Sequence, residues 1–204
     1  MFPTIEQAEA WLQDGVKRNP GLWDAHSRYV GQAARAIAER IPELDPEKAQ
    51  VLGMLHDIGR RFGVTGNLHI SDGYDFMMEQ GCPEVARICL THSFPYQNID
   101  SCFGSWNVVA DRDGESARKR MGELLSQLTY NEYDRLIQLC DALAMGTGFC
   151  LLEKRWVDVV MRYGSNDFII PKWKATYEIK DALEKRMGIS VYELLPGVKE
   201  NTFA

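Results

Sequence analysis

Four helical stripes of this chain carry a histidine or an aspartate among residues that otherwise face inward. Over residues 21–41 the positions Leu22, Tyr29/Val30, Ala33, Ile37 and Ile41 recur at helical spacing, and His26 lies on the same stripe. Over 46–62 the stripe is Val51/Leu52, Leu55, Ile58/Gly59 and Phe62, and His56 falls within it. His92 closes a stripe made by Val85 and Ile88/Cys89, while Asp141 follows Tyr133, Leu136/Ile137 and Cys140. A carboxylate buried on such a stripe costs several kcal/mol unless a positive charge meets it. No Lys or Arg lies on these inward faces. A bound cation is the simplest compensation, and it requires the helices to converge on one point.

The residues available for that point form a coherent set. The four histidines are His26, His56, His69 and His92; Asp57 adjoins His56, and Asp141 stands further along. Imidazole and carboxylate together suit borderline divalent metals such as Fe, Mn, Zn or Co, and helical bundles build such sites from side chains on facing helices. A lone core histidine is ordinarily a hydrogen-bonded packing residue. Four residues of ligand type at inward positions, with Asp57 adjoining one of them and His69 nearby in sequence, point instead to a metal site.

The remainder of the chain reads as helix with no good strand signal. Thr4 caps a first helix to about Lys17, and Pro20-Gly21 ends it; Asp45-Pro46 starts another at 46–62. Further helices are expected at 71–80, from Pro83 to His92, and at 116–128, 131–144, 152–163 and 171–187. Residues 63–66 are a loop, and the tail 190–204 is expected to make a short turn and then fray. Residues 94–114 are irregular and rich in Gly, Asn, Asp and aromatics, a length of poorly periodic chain that is more often functional than idle. The fold class is therefore all-α, a helical bundle over 1–204 with its motif-bearing core at about 20–150 and a helical extension at about 151–204. Trp173, Tyr177 and Leu183 give the last long helix an apolar side, to dock on the body or on a second subunit as a homodimer.

The net charge of −6 argues against a sequence-independent grip on nucleic acid polymers, which needs a basic face. No run is long enough to span a membrane, and the first residues lack the build of a signal peptide. Five cysteines without a CxxC pair fit reduced thiols, so a cytoplasmic location is expected.

The order His26, His56-Asp57, His69, His92, Asp141, with the segment Leu52-Gly53-Met54-Leu55-His56-Asp57-Ile58-Gly59-Arg60, resembles the HD-domain metal-dependent phosphohydrolase superfamily. Within it the spacing and Leu68-His69-Ile70-Ser71-Asp72-Gly73 are similar to the small bacterial dinucleoside polyphosphate hydrolases. The resemblance implies two divalent ions. His26, His56, Asp57 and Asp141 would hold one, His69, His92 and the second oxygen of Asp57 the other, and a hydroxide between them would attack phosphorus in a small phosphate ester or anhydride, plausibly a nucleotide. Two such ions against two aspartates leave a charge of about +2, enough for an acidic chain to draw in a phosphate. Many relatives have a lysine where this chain has Arg60, and an arginine there can hold phosphate bidentately.

Arg60 and Asp72 join the candidate catalytic residues with Asp57: Arg60 as a phosphate ligand or a partner of the helix end, Asp72 as a group orienting a ligand or water one turn from His69. Arg28 reads as surface and Arg118-Lys119-Arg120 as a solvated face or an anion guide. Phe94, Tyr96 and Trp106 are read mainly as packing under a loop, with a nucleobase platform as the alternative, and Trp11, Trp23 and Trp156 as core. Two other functions share the ligands: a di-iron HD-type oxygenase, and a nucleotide-binding regulatory module without turnover.

Overall fold

The computed structural model describes residues 2–204 and is all-α apart from one two-residue hairpin pair, Ala144–Met145 against Gly148–Phe149. Helix α1 (Ile5–Arg18) begins with Thr4 and Gln7 capping each other's backbone N–H groups, as Asn131 and Asp134 do at the start of α7 (Glu132–Leu143). At the head of α3 (Pro46–Leu55) the Asp45 carboxylate accepts the backbone N–H groups of Glu47 and Lys48. The long α9 (Ile169–Met187) ends on Gly188, whose φ of 69° supplies the left-handed turn.

The centre of the molecule is the packing of α2 (Trp23–Ala38) along α3, with α7 crossing both. Contact is close because a Cβ built on Gly53 would stand 2.7 Å from the Cα of Gly31, so any larger residue would push α2 and α3 apart. Val30, Ala33, Ala34 and Ile37 from α2, Leu52 and Leu55 from α3, and Leu136, Ile137 and Cys140 from α7 are buried there. A second cluster, Leu68, Ile70, Leu90, Phe94, Trp106, Met121 and Leu125, lies under residues 94–114 and α6 (Gly114–Ser126). Phe94 and Trp106 are thus packing residues, whereas Tyr96 is 40% exposed and stacks on Phe168. Of the tryptophans expected in the core, Trp156 is buried, while Trp11 and Trp23 are half-buried against it.

The structure corrects four expectations. The helix expected over 46–62 stops at Leu55, and a 3-10 turn (Ile58–Phe62) follows, which changes the rotation per residue and leaves Phe62 exposed instead of inward. The next helix, α4 (Leu68–Glu79), starts three residues before the expected Ser71 and so includes His69. A hairpin follows α7, where no strand signal was seen. The tail does not fray: it forms α10 (Val191–Leu194) and α11 (Val198–Phe203), burying Val191, Leu195 and Val198. The Asn201 amide donates to the Phe149 carbonyl at 3.1 Å, and the Thr202 hydroxyl accepts the Leu151 N–H at 3.1 Å, which locks α11 onto the hairpin.

Helices α8 (Leu152–Tyr163) and α9 both pack on α7, with the Trp156 and Trp173 rings stacked 4.9 Å apart. The apolar side of α9 therefore docks on the body. Among the described residues, no helix is long and apolar enough to cross a membrane.

Candidate metal centre

Helix ends deliver most of the site. His56 is the C-cap of α3 and His92 the C-cap of α5 (Pro83–Thr91), while Asp57 occupies the joint between α3 and the 3-10 turn at φ −104°, ψ 15°. His69 lies in the first turn of α4, His26 in the first turn of α2, and Asp141 in the last turn of α7. Arg87 and the Thr91 hydroxyl both bind the Asp134 carboxylate, and the Gln138 amide donates to the Thr91 carbonyl at 2.9 Å, fixing the end of α5 on α7.

Three of the imidazoles are aimed by the same device. The Nδ1 of His56 lies 2.7 Å from the Gly53 carbonyl, that of His69 lies 2.6 Å from the Gly66 carbonyl, and that of His92 lies 3.0 Å from the Cys89 carbonyl. Each carbonyl is three residues back and can only accept, so Nδ1 carries the proton and Nε2 presents a lone pair to the interior. A backbone acceptor behind a histidine in this way is the usual support of a metal-ligating imidazole. The inner atoms are correspondingly bare: Nε2 of His56, Nε2 of His69 and Oδ1 of Asp57 are buried without a hydrogen-bond partner.

Those atoms converge. Oδ1 of Asp57 lies 3.2 Å from His69 Nε2 and 3.5 Å from His92 Nε2, whereas its Oδ2 lies 3.7 Å from His56 Nε2. Oδ1 of Asp141 lies 3.0 Å from His26 Nε2 and 3.9 Å from His56 Nε2. Ligand atoms within 4.8 Å of one another form three overlapping groups: His26, His56 and Asp57; His56, His92 and Asp141; and Asp57, His69 and His92. All six expected ligands thus meet in one place. Bare, buried acceptors of this type suit a divalent cation, since no hydrogen-bond donor among the described residues satisfies them.

The protonation states fit as well. Burial, with His56 nearby, holds the His92 imidazole down at about 3, and burial also lowers His26 against the pull of Asp141, so both rings are neutral at pH 7. Burial alone would raise Asp57 and Asp141, yet Arg60 and the surrounding imidazoles hold Asp57 below the usual carboxylate range, and His26 does the same for Asp141.

Two arginines flank the cluster. Arg60 donates from Nε to Asp57 Oδ2 at 2.5 Å, and Nη2 of Arg155, from α8, lies 4.0 Å from Asp141 Oδ1. Neither cation lies on the inward faces expected from the sequence, because Arg60 reaches back from the 3-10 turn and Arg155 comes from a different helix. Lys172 of α9, also absent from those faces, lies within electrostatic range of Asp141 and Arg155. A signal was present: Arg155 shares a face with Leu152 and Trp156, and Lys172 with Thr176, Ile179 and Leu183, all five buried.

The other charged candidates are engaged elsewhere. Asp72 is tied by both oxygens to Arg112, joining α4 to the irregular stretch. Arg28 pairs with Glu9 and Asp24, Arg118 with Asp100 and Glu115, and Arg120 with Asp75.

A family model described as HD domain matches residues 23–146, more than half of the chain and a span that holds all six clustered residues. The chain belongs to the HD domain family. HD domains bind divalent metals and make up a superfamily of metal-dependent phosphohydrolases, and the clustered histidines and aspartates are groups that could hold such an ion. Helices α8 to α11 lie beyond the matched span of the HD domain. Comparison with curated proteins and with solved structures gives no match.

Proposed function

We propose that this HD-domain protein hydrolyses a small phosphate ester or anhydride at a dinuclear centre, with a nucleotide as the favoured substrate. The observation that carries the reading is the set of buried, unpartnered ligand atoms around Asp57, whose two oxygens face different histidines, so that Asp57 would contribute to holding ions with both groups of residues. On this reading His26, His56, Asp57 and Asp141 hold one ion, and Asp57, His69 and His92 the other. Divalent ions bound there would polarise the phosphoryl oxygens and generate a nucleophile from water at neutral pH.

The chain's own groups do the rest. The carbonyls behind His56, His69 and His92 keep the rings from turning, so the ligand positions are set before substrate arrives. Arg60 is one third exposed and can exchange its hold on Asp57 for a phosphate oxygen. Cations beside the ligands favour an anionic substrate, which supports hydrolysis over the di-iron oxygenase that would use the same ligands. The similarity to small dinucleoside polyphosphate hydrolases supports an anhydride as the scissile bond.

The test is hydrolysis of a panel of phosphate esters, nucleotides and dinucleoside polyphosphates by protein of measured metal content, read both as phosphate release and as nucleotide products by chromatography. Turnover that depends on added Mn, Fe, Co or Zn and falls on the order of 100-fold or more in Asp57→Ala is expected. Fully metallated protein that hydrolyses no member of the panel, or that consumes oxygen when loaded with ferrous iron, would overturn the proposal.

A further inference from the structure

The helices that follow the HD segment bring Arg155 to 4.0 Å from Asp141 and Lys172 within electrostatic range of the same carboxylate. Arg155 is 18% exposed at its side chain and lies between Asp141 and the Asp158 carboxylate, 3.3 Å from Nη1. The ammonium of Lys172 donates to the Ser101 carbonyl at 3.3 Å and stands 4.8 Å from the centre of the Phe103 ring. Burial lowers its pKa, and among the described residues it makes no salt bridge to a carboxylate. An ammonium in such surroundings, with one carbonyl and a ring for company, is short of partners, and an anion would supply them. Both cations, like Arg60, are within electrostatic range of Asp141.

Charge decides what kind of anion. With two divalent ions bound, Asp57 and Asp141 are more than neutralised, leaving about +2 on the cluster, and Arg60, Arg155 and Lys172 together outweigh the one Asp158 carboxylate that pairs with Arg155. A phosphate monoester brings a charge of roughly −1.5 to −2, too little to balance such a site. A second phosphate brings further charge and further acceptor oxygens.

We infer that Arg155 and Lys172 bind a second phosphate of the substrate, so that the protein selects compounds with two or more linked phosphates, such as nucleoside diphosphates and longer anhydrides, over monoesters. The inference rests on the hydrolase reading for the place of the first phosphate, and it assigns substrate selection to α8 and α9, outside the HD segment.

Titration calorimetry on the full-length, manganese-loaded protein tests it, with AMP and the non-hydrolysable α,β-methylene analogue of ADP as probes. The wild type is expected to bind the diphosphate on the order of 10–100-fold more tightly than AMP. Arg155→Gln and Lys172→Met should each reduce that ratio toward one while AMP binding changes little, and Arg155→Lys should retain most of it. Melting curves on the same samples separate lost binding from lost folding, and if Arg155→Gln is unfolded the Lys172→Met result decides. A wild-type ratio near one, or a ratio unchanged in both variants, overturns the inference. Manganese content reports separately on the hydrolase reading: protein that takes up no metal sinks that reading and, with it, the place of the first phosphate, whereas metal-loaded protein without the preference sinks this inference alone.

Discussion

Nε of Arg60 stands 2.5 Å from Oδ2 of Asp57, so an arginine covers one oxygen of the carboxylate that lies between the two groups of histidines. Removing it leaves a buried carboxylate with its main counter-charge gone. Breaking a buried pair costs about 3–5 kcal/mol, and the one-third exposure of Arg60 lowers this to roughly 1–3 kcal/mol. Metal-free Arg60→Gln should therefore melt well below metal-free wild type, and saturating divalent metal should narrow the gap because the ion then neutralises Asp57. Calorimetric melts with and without metal measure this; a gap that widens on metal addition would contradict it.

Metal stoichiometry should follow the grouping of the ligands. His26 belongs to the group with His56 and Asp57, His69 to the group with Asp57 and His92, and Asp57 to both. His26→Ala and His69→Ala should each lose one of two ions, and Asp57→Ala should lose both, as read by elemental analysis after gel filtration. Full occupancy in Asp57→Ala would remove the bridge from the scheme.

Gly59 is a sensitive position away from the ligands. A Cβ there would meet the His69 carbonyl oxygen at 1.9 Å and the Gly73 nitrogen at 2.5 Å, both backbone atoms that cannot rotate aside. Gly59→Ala must push the 3-10 turn away from α4, separating Asp57 from His69. A loss of about 3 kcal/mol is expected, roughly 6–12 °C in Tm for a chain of this size, together with weaker metal binding. A variant with wild-type Tm and metal affinity would show that the two segments are not packed as described.

The buried thiols set an alkaline limit. Burial pushes Cys89 and Cys140 up strongly and Cys150 from 9.0 to about 11. Folding thus keeps on these sulfurs protons that the unfolded chain releases, so the stabilisation is complete below about pH 9 and declines as pH rises toward 11 for Cys150. The decline is up to about 1.4 kcal/mol per pH unit for each group. Cys150→Ala should flatten the fall in urea midpoint between pH 9 and 11; an unchanged slope would assign the alkaline loss to other groups.

Much of the centre was legible because polar residues on apolar stripes are rare and costly. His26, His56, His92 and Asp141 are found by that rule, and the structure brings them together. His69 was recognised through resemblance, since its helix was expected to begin only at Ser71; no side-chain cap marks the true start at Leu68. The break after Leu55 was hidden because its cause is long-range, the contact of Gly59 with the backbone of α4. Arg155 and Lys172 obey the same stripe rule but were passed over, since a long basic side chain is usually assumed to reach solvent. The tail was misjudged because its hold depends on Asn201 and Thr202 meeting the hairpin, a pairing that no local pattern announces.

At His56 and His92 one ring does two jobs: its Nδ1 meets a carbonyl in the last turn of a helix, at Gly53 and Cys89, and its Nε2 faces the candidate metal centre. Unwinding the final turn of α3 or α5 and losing a ligand are therefore a single event. Metal occupancy should tighten these helix ends, and hydrogen exchange at the amides that follow them would register the loading of the centre before any chemistry is assayed.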